Sequence, residues 1–124
     1  MQNTSLITST ACSQSTAQAV AEVASILRDN IEAPPRLVEL ARRVGFSAPR
    51  LNREFRRIFG TTVFGYLRIL RLEEARNLLE NSDINITEAA FSVGYQSLPS
   101  FSQAFRGYFG MSPRQYRNDI RRIS

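Results

Sequence analysis

The chain has 124 residues, a net charge of +5 and 43% hydrophobic residues, which suits one soluble globular domain and excludes two large ones. Histidine is absent and Cys12 is the single cysteine. A zinc or iron site of the usual kind and the commonest general base of enzymes are therefore excluded. Because the chain also lacks an apolar run of membrane-spanning length and a secretory signal, we expect a cytoplasmic protein that is not an enzyme and needs no cofactor.

The positive charge is unevenly distributed along the chain. All sixteen basic residues are arginines, of which ten lie in residues 36–76 against four acidic residues, and five lie in residues 86–124 against two. The planar guanidinium group donates paired hydrogen bonds that fit phosphate and the guanine edge. Two separate basic blocks of this kind predict a nucleic acid as the partner.

The N-terminal part of the chain changes character at Ala17. Residues 1–16 are small, polar and aperiodic, which predicts a flexible leader or the stub of a linker. After them, apolar residues at helical spacing predict an amphipathic helix that ends before Pro34. These residues are Val20, Val23, Ala24, Leu27 and Ile31.

An internal repeat is the most informative feature of the sequence. Residues 37–46 align with residues 86–95, and after a one-residue insertion near Gln96, residues 47–60 align with residues 97–110. The aligned segments include VGFSAPRLNREFRRIFG, from Val44, and VGYQSLPSFSQAFRGYFG, from Val93. Similarity at a fixed period indicates one structural unit used twice.

Each copy of the repeat has the signals of a helix-turn-helix unit. In the first copy Gly45 ends a short helix, Ser47 caps the next one, Pro49 lies in its first turn and Gly60 ends it. The second copy repeats these signals at Gly94, Ser97, Pro99 and Gly110, after a capping box formed by Asn85 and Glu88. Two such units with basic surfaces favour DNA binding over a plain helical hairpin.

Two further helices complete the pattern. Residues 62–80 read as one long helix between the units, and Ser112 with Gln115 forms a capping box for a last helix that ends near Ile123. At 1.5 Å per residue the long helix spans roughly 27 Å, near the 34 Å advance of one DNA turn once the helix widths are added. We therefore expect the two units to reach successive major grooves.

The repeat, together with LEEARNLL from Leu72 and GMSPRQYR from Gly110, resembles the AraC/XylS family of bacterial transcription regulators over about residues 18–120. The resemblance implies an all-α fold of seven helices, with two helix-turn-helix subdomains joined by a long central helix. The AraC-type domain would cover residues 17–124, divided into residues 17–60, the central helix 62–80 and residues 85–123. The second helix of each unit would read adjacent major grooves.

Site residues follow from the same resemblance and from the positions left outside when Leu51, Phe55, Phe101 and Phe105 are buried. Arg53 would fork onto a guanine, and Asn52 or Gln103 onto an adenine. The full set of predicted base contacts is Pro49, Arg50, Asn52, Arg53, Pro99, Ser100, Ser102 and Gln103. Predicted contacts to the DNA backbone are Ser47, Arg56, Arg57, Ser97, Arg106, Arg114 and Arg117.

Several of these assignments have an alternative. Arg50 and Ser100 fit solvated surface positions equally well, and Arg57 and Arg114 fit plain surface charges. The first reading helix carries four arginines, whereas the second carries only Arg106. We therefore expect unequal binding, with the first unit as the anchor.

The function that the resemblance implies is sequence-specific binding to promoter DNA, as an activator that touches RNA polymerase. It also implies an N-terminal sensor domain if the chain is a fragment of a larger regulator. A monomer and a weak dimer both stay open, since one chain already holds two reading helices. The alternative function is a helical protein-interaction module without specific DNA readout.

Overall fold

A computed structural model describes residues 8–123, with side chains for residues 16–123. Over that range the chain forms seven helices and no strand, as the all-α prediction requires. The helices are α1 (Thr8–Asp29), α2 (Leu37–Val44), α3 (Ala48–Phe59), α4 (Val63–Asn81), α5 (Ile86–Ser92), α6 (Leu98–Phe109) and α7 (Pro113–Ile123).

Helix α1 begins nine residues before the position that the apolar pattern indicates. It starts at Thr8 instead of Ala17, so the second part of the leader predicted for residues 1–16 belongs to a helix. The first part, residues 1–7, lies outside the described residues. Once a helix is nucleated by packed turns, each added residue gains one backbone hydrogen bond, and extension does not require an apolar stripe.

The chain divides into two compact units. The first consists of residues up to Asn30 together with residues 34–66, so it contains α1, α2, α3 and the start of α4. Its core forms where α1 packs against α2 and α3. The buried apolar residues of this unit are Val20, Val23, Ala24, Leu27, Leu40, Ala41, Leu51, Phe55 and Val63.

The second unit consists of residues 31–33 and residues from Leu67 onward. Its core is built from the rest of α4 and from α5 and α6. The buried cluster comprises Leu72, Ala75, Leu79, Ala89, Ala90, Val93, Phe101 and Phe105, with Tyr116 of α7 packed against it. In each unit, two successive helices are thus held by a third element.

The predicted capping residues hold the start of both reading helices. The Ser47 hydroxyl accepts a hydrogen bond from the Arg50 N–H at 3.2 Å, and the Ser97 hydroxyl accepts one from the Ser100 N–H at 3.2 Å. Asn85 and Glu88 form the predicted reciprocal capping box, with bonds of 2.8 and 2.9 Å. These bonds satisfy N–H groups that a helix start leaves without intrahelical partners.

The turns of the two units differ by two residues, with residues 45–47 between α2 and α3 and residues 93–97 between α5 and α6. Gly45 ends α2 directly, with φ 77°, whereas α5 ends at Ser92, Val93 is its cap and Gly94 follows with φ 105°. The insertion near Gln96 lengthens the turn of the second unit by one residue, and the earlier end of α5 lengthens it by another.

Candidate nucleic-acid interface

The outer face of α3 carries most of the residues predicted to meet DNA in the first unit. Pro49, Arg50 and Arg53 are exposed, while Leu51 and Phe55 on the opposite face are fully buried. Arg56 and Arg57 are exposed in the last turn. Since residues three and four apart share a helix face, Pro49, Arg53 and Arg56 form one exposed stripe.

The side chain of Arg50 is held beside the turn of the first unit. Its guanidinium carbon lies 3.9 Å from the centroid of the Phe46 ring. A cation at this distance from an aromatic face is attracted to it, and less side-chain freedom is then left to lose on binding. Phe46, which lies in the turn between α2 and α3, therefore orders a candidate DNA contact.

Arg57 is paired within α3 itself. Its Nε donates to the Glu54 carboxylate at 2.8 Å. This hydrogen bond, together with the fields of Arg57, Arg53 and Arg50, holds the pKa of Glu54 below its ordinary value. The carboxylate offsets part of the positive charge of the last turn, which favours the surface-charge alternative for Arg57. The i, i+3 spacing of the two residues was the signal for this pair.

Asn52 differs from the exposed base-contact candidates of its own helix, Pro49, Arg50 and Arg53. It is half-buried, and its Oδ1 accepts a hydrogen bond of 3.0 Å from the backbone N–H of Val63, the first residue of α4. Recognition of adenine by this side chain uses the same oxygen as an acceptor. The predicted adenine contact would therefore have to share Oδ1 with Val63.

Helix α6 presents an equivalent but less basic face in the second unit. Pro99, Ser100, Gln103 and Arg106 are exposed, while Phe101 and Phe105 are fully buried. Arg106 is the only arginine in this helix. The face thus offers an amide and a hydroxyl for hydrogen bonding, with one cation.

Ser102 and Arg114 are brought together in the second unit. Both line an open groove of about 450 Å³. The other lining residues are Asn85, Ile86, Thr87, Leu98, Ser112 and Pro113. The lining is largely apolar, but it also brings hydroxyl groups beside a guanidinium group and includes no acidic residue, so its polar part suits an anionic neighbour such as a phosphate. Thr87 had not been identified as a candidate, although its place in the first turn of α5 was a usable signal.

Arg117 was wrongly predicted to contact the DNA backbone. It is only 6% exposed, and its guanidinium group donates to the backbone carbonyls of Ile84, Ser82 (3.1 Å) and Leu79 (3.4 Å). Burial lowers the pKa of the guanidinium group. Its N–H donors bind the carbonyls at the end of α4 and in the segment after it, because buried carbonyls require hydrogen-bond partners.

The described part of the chain has neither a candidate metal site nor a candidate membrane span. Among the side chains of residues 16–123, no three or more His, Cys, Asp or Glu residues are arranged to hold a metal ion. No helix in residues 8–123 is long and apolar enough to cross a membrane.

Two helix-turn-helix units with an exposed polar second helix define the class of helix-turn-helix DNA-binding proteins. The family model described as a helix-turn-helix domain matches residues 40–119. The chain belongs to the AraC-type helix-turn-helix family of transcription regulators.

Several relatives and solved structures support this family assignment. A transcriptional regulator from Chromobacterium violaceum with an AraC-type DNA-binding domain is 34% identical, with a TM-score of 0.78 over 89% of this chain and 96% of that chain. The DNA-binding domain of AdpA, solved in complex with a target DNA, is 30% identical with a TM-score of 0.78 over 84% and 94% of the two chains. The regulator GbdR of Pseudomonas aeruginosa is 38% identical over 96 residues, which are 77% of this chain and 26% of GbdR.

The transcriptional activator RhaS of Escherichia fergusonii is 42% identical over 78 residues, which are 63% of this chain and 28% of RhaS. The chain therefore spans about a quarter of the length of GbdR and of RhaS. The similarity is to regulators described as being of the helix-turn-helix type. It favours DNA-binding transcription regulation over the protein-interaction module.

Proposed function

We propose that this chain binds duplex DNA in a sequence-specific manner, with α3 and α6 inserted into successive major grooves, and thereby regulates transcription. The observation that carries the proposal is the duplicated helix-turn-helix unit, in which each second helix buries aromatic or aliphatic side chains on one face and exposes hydrogen-bonding groups on the other. An α-helix fits the major groove, where each base pair presents a distinct pattern of donors and acceptors.

Base recognition rests on one principal residue in each unit. Arg53 of α3 has the fork of donors that fits O6 and N7 of guanine, and Gln103 of α6 has the amide that fits N6 and N7 of adenine. Both side chains are exposed and occupy equivalent positions in the repeat. Pro49, Pro99 and Ser100 contribute contacts of shape at the tips of the two helices.

Phosphate contacts position the two helices without specifying the sequence. Arg56 and Arg106, which are equivalent in the repeat, and Arg114 at the start of α7 supply the cations. The helix starts at Ser47 and Ser97 add backbone N–H groups, which favour anions at this end of a helix. Arg57 contributes less, since Glu54 holds it.

The two units contribute unequally to affinity. Helix α3 presents three arginines in addition to Arg57, whereas α6 presents Arg106 alone. Because each phosphate that is neutralised releases counterions, the first unit anchors the chain and the second selects among anchored positions.

The biological setting follows the family. We propose that the chain acts in the bacterial cytoplasm, by binding and without catalysis, as part of an activator that touches RNA polymerase. An N-terminal sensor domain would fit the much greater length of GbdR and RhaS. One chain suffices for a two-part site, so the proposal holds for a monomer as well as for a weak dimer.

The test is selection of bound duplexes from a random pool by the whole chain, at two salt concentrations. We expect two short motifs about one helical turn apart, with centres separated by roughly 10 base pairs. Recovery of no motif, with binding that disappears at the higher salt concentration, would leave only a basic surface and contradict the proposal. A salt-insensitive affinity for a protein, without any for DNA, would favour the protein-interaction module.

A further inference from the structure

The start of α4 has a buried N–H group that the helix itself cannot satisfy. Val63 is the first residue of α4 and is fully buried, so water does not reach its backbone N–H. The Asn52 Oδ1, eleven residues earlier in α3, accepts the hydrogen bond from this N–H at 3.0 Å. A buried donor left without a partner is costly, so this side chain has a task inside the first unit.

The internal repeat extends into this region, and the second unit lacks the N–H group that Asn52 binds in the first unit. Beyond Gly60 and Gly110, Thr62 aligns with Ser112, and each hydroxyl accepts a hydrogen bond of 3.1 Å from the N–H three residues later. Val63 aligns with Pro113, which is also buried at the first position of its helix. Proline has no N–H, and the residue aligned with Asn52 is Ser102.

We propose that Asn52 is a positioning residue, which holds α3 against the start of α4, and that it does not read a base. The residue that begins the next helix, at position 63 or 113, decides whether the side chain at position 52 or 102 of the reading helix is needed as a hydrogen-bond acceptor. Where an N–H is present, an amide is committed to it. Where proline removes the N–H, the aligned side chain, Ser102, remains available at the DNA surface. The part of this inference that concerns base reading rests on the proposed function.

The first test measures thermal stability and needs no DNA. Asn52→Ser should lower the melting temperature of the whole chain by about 3–5 °C, since a buried N–H loses its acceptor. In a Val63→Pro background, the same substitution should shift the melting temperature by less than about 1 °C, as should the matched control Ser102→Ala in the wild-type chain. An equal loss from Asn52→Ser in both backgrounds would overturn the proposal.

A second variant keeps the test open if Val63→Pro does not fold. Asn52→Asp retains an acceptor oxygen and places a negative charge at the start of α4, where it is favourable. The proposal requires Asn52→Asp to keep the wild-type melting temperature while Asn52→Ser lowers it. A similar loss in both variants would show that the bond to Val63 does not matter.

The base preferences of Asn52→Ser distinguish the two roles, because a loss of stability alone does not change which bases the chain prefers. Selection from a random DNA pool should return the wild-type motif in both halves, with a uniform loss of affinity across sequences. By contrast, Ser102→Asn should change the preference at a base pair of the second half. A changed preference at one base pair of the first half in Asn52→Ser would establish Asn52 as a base reader and contradict the proposal. If no variant binds DNA, the melting temperatures still decide the positioning role.

Discussion

The two helix-turn-helix units share one packing plan and differ in what they place on its surface. Phe55, Phe59 and Tyr66 form an aromatic cluster in the first unit, with ring centroids 4.7–5.3 Å apart. Phe109 and Tyr116 pack on Phe105 at 4.5 and 5.9 Å in the second. Two of the three ring contacts of the first unit, those of Phe55, therefore recur around the aligned Phe105, while the exposed positions carry different charges. Core positions constrain the fold, and exposed positions are free to set the affinity of each unit.

The tyrosine hydroxyls of the two clusters have different partners, although Tyr66 and Tyr116 occupy the same position of the repeat. In the first unit Tyr66 accepts a hydrogen bond from Arg28 of α1 at 2.9 Å. In the second unit Tyr116 donates to Glu80 of α4. The tyrosine ring packs against the aligned phenylalanine in both units, whereas the partner of its hydroxyl group depends on the neighbouring helix.

The largest difference in stability between the two units should appear when Arg117 is replaced. This residue aligns with the apolar Leu67 of the first copy of the repeat. We expect Arg117→Ala to destabilise the second unit by about 3 kcal/mol, because three backbone carbonyls lose their donor. Urea unfolding checks this, with Arg114→Ala, an exposed arginine of the same helix, as the control. Unchanged unfolding, with loss of DNA affinity, would restore Arg117 to the DNA surface.

The turns should respond unequally to the same substitution. A Cβ atom on Gly94, where φ is 105°, would lie 2.7 Å from Nη2 of Arg71, whose Nε is itself held by the Ile31 carbonyl at 2.7 Å. At Gly45, with φ 77°, the space is open. We expect Gly94→Ala to cost about 2 kcal/mol and Gly45→Ala about 1 kcal/mol in denaturant unfolding.

Equal costs at the two turns would show that the positive φ alone decides the effect. In that case, Arg71 would not contribute to the shape of the second turn.

The charge difference between the units can be tested on the aligned arginines. Arg56→Gln and Arg106→Gln should each reduce affinity about tenfold near 0.1 M salt and lower the slope of log K against log salt by about 0.9, because each removes one phosphate contact. Arg57→Gln, which removes a side chain paired with Glu54, should change the slope less. Fluorescence anisotropy over a salt series measures all three. A slope loss for Arg57 equal to that for Arg56 would show that the pair with Glu54 opens on binding.

The smallest effect concerns alkaline pH and the second unit alone. Desolvation and the hydrogen bond to Glu80 raise the pKa of Tyr116 from 10.0 to about 12. The folded state then holds this proton more tightly than the unfolded state, so the contribution of Tyr116 is complete below pH 10 and is lost as the pH rises towards 12. Tyr116→Phe should lose less stability than the wild type between pH 10 and pH 12 in unfolding experiments. Parallel losses would refute this role of Tyr116.

Local signals in the sequence predicted most of the fold. Ser47, Ser97 and Asn85 cap helices as expected, because a cap depends on residues within one turn. The roles of Asn52 and Arg117 depend on backbone groups 11 and 33–38 residues away, and short motifs do not report such partners.

A longer alignment of the repeat carried a signal for both residues. It pairs Arg117 with the buried Leu67 and Val63 with Pro113. The spacing of a buried stripe is also present in α7, at Pro113, Tyr116, Arg117 and Ile120. An arginine in such a stripe is partly removed from water together with its charge.

Independent reading of DNA by the two units is measured most directly as the affinity of the wild type, Arg53→Ala and Gln103→Ala for the selected DNA site and for versions altered in one half. We expect Arg53→Ala to lose discrimination worth about 1–3 kcal/mol at one base pair of the first half only. Gln103→Ala should do the same in the second half, with a smaller loss of total affinity. If both substitutions weakened discrimination in the same half, or in neither, the two units would not be independent readers of DNA.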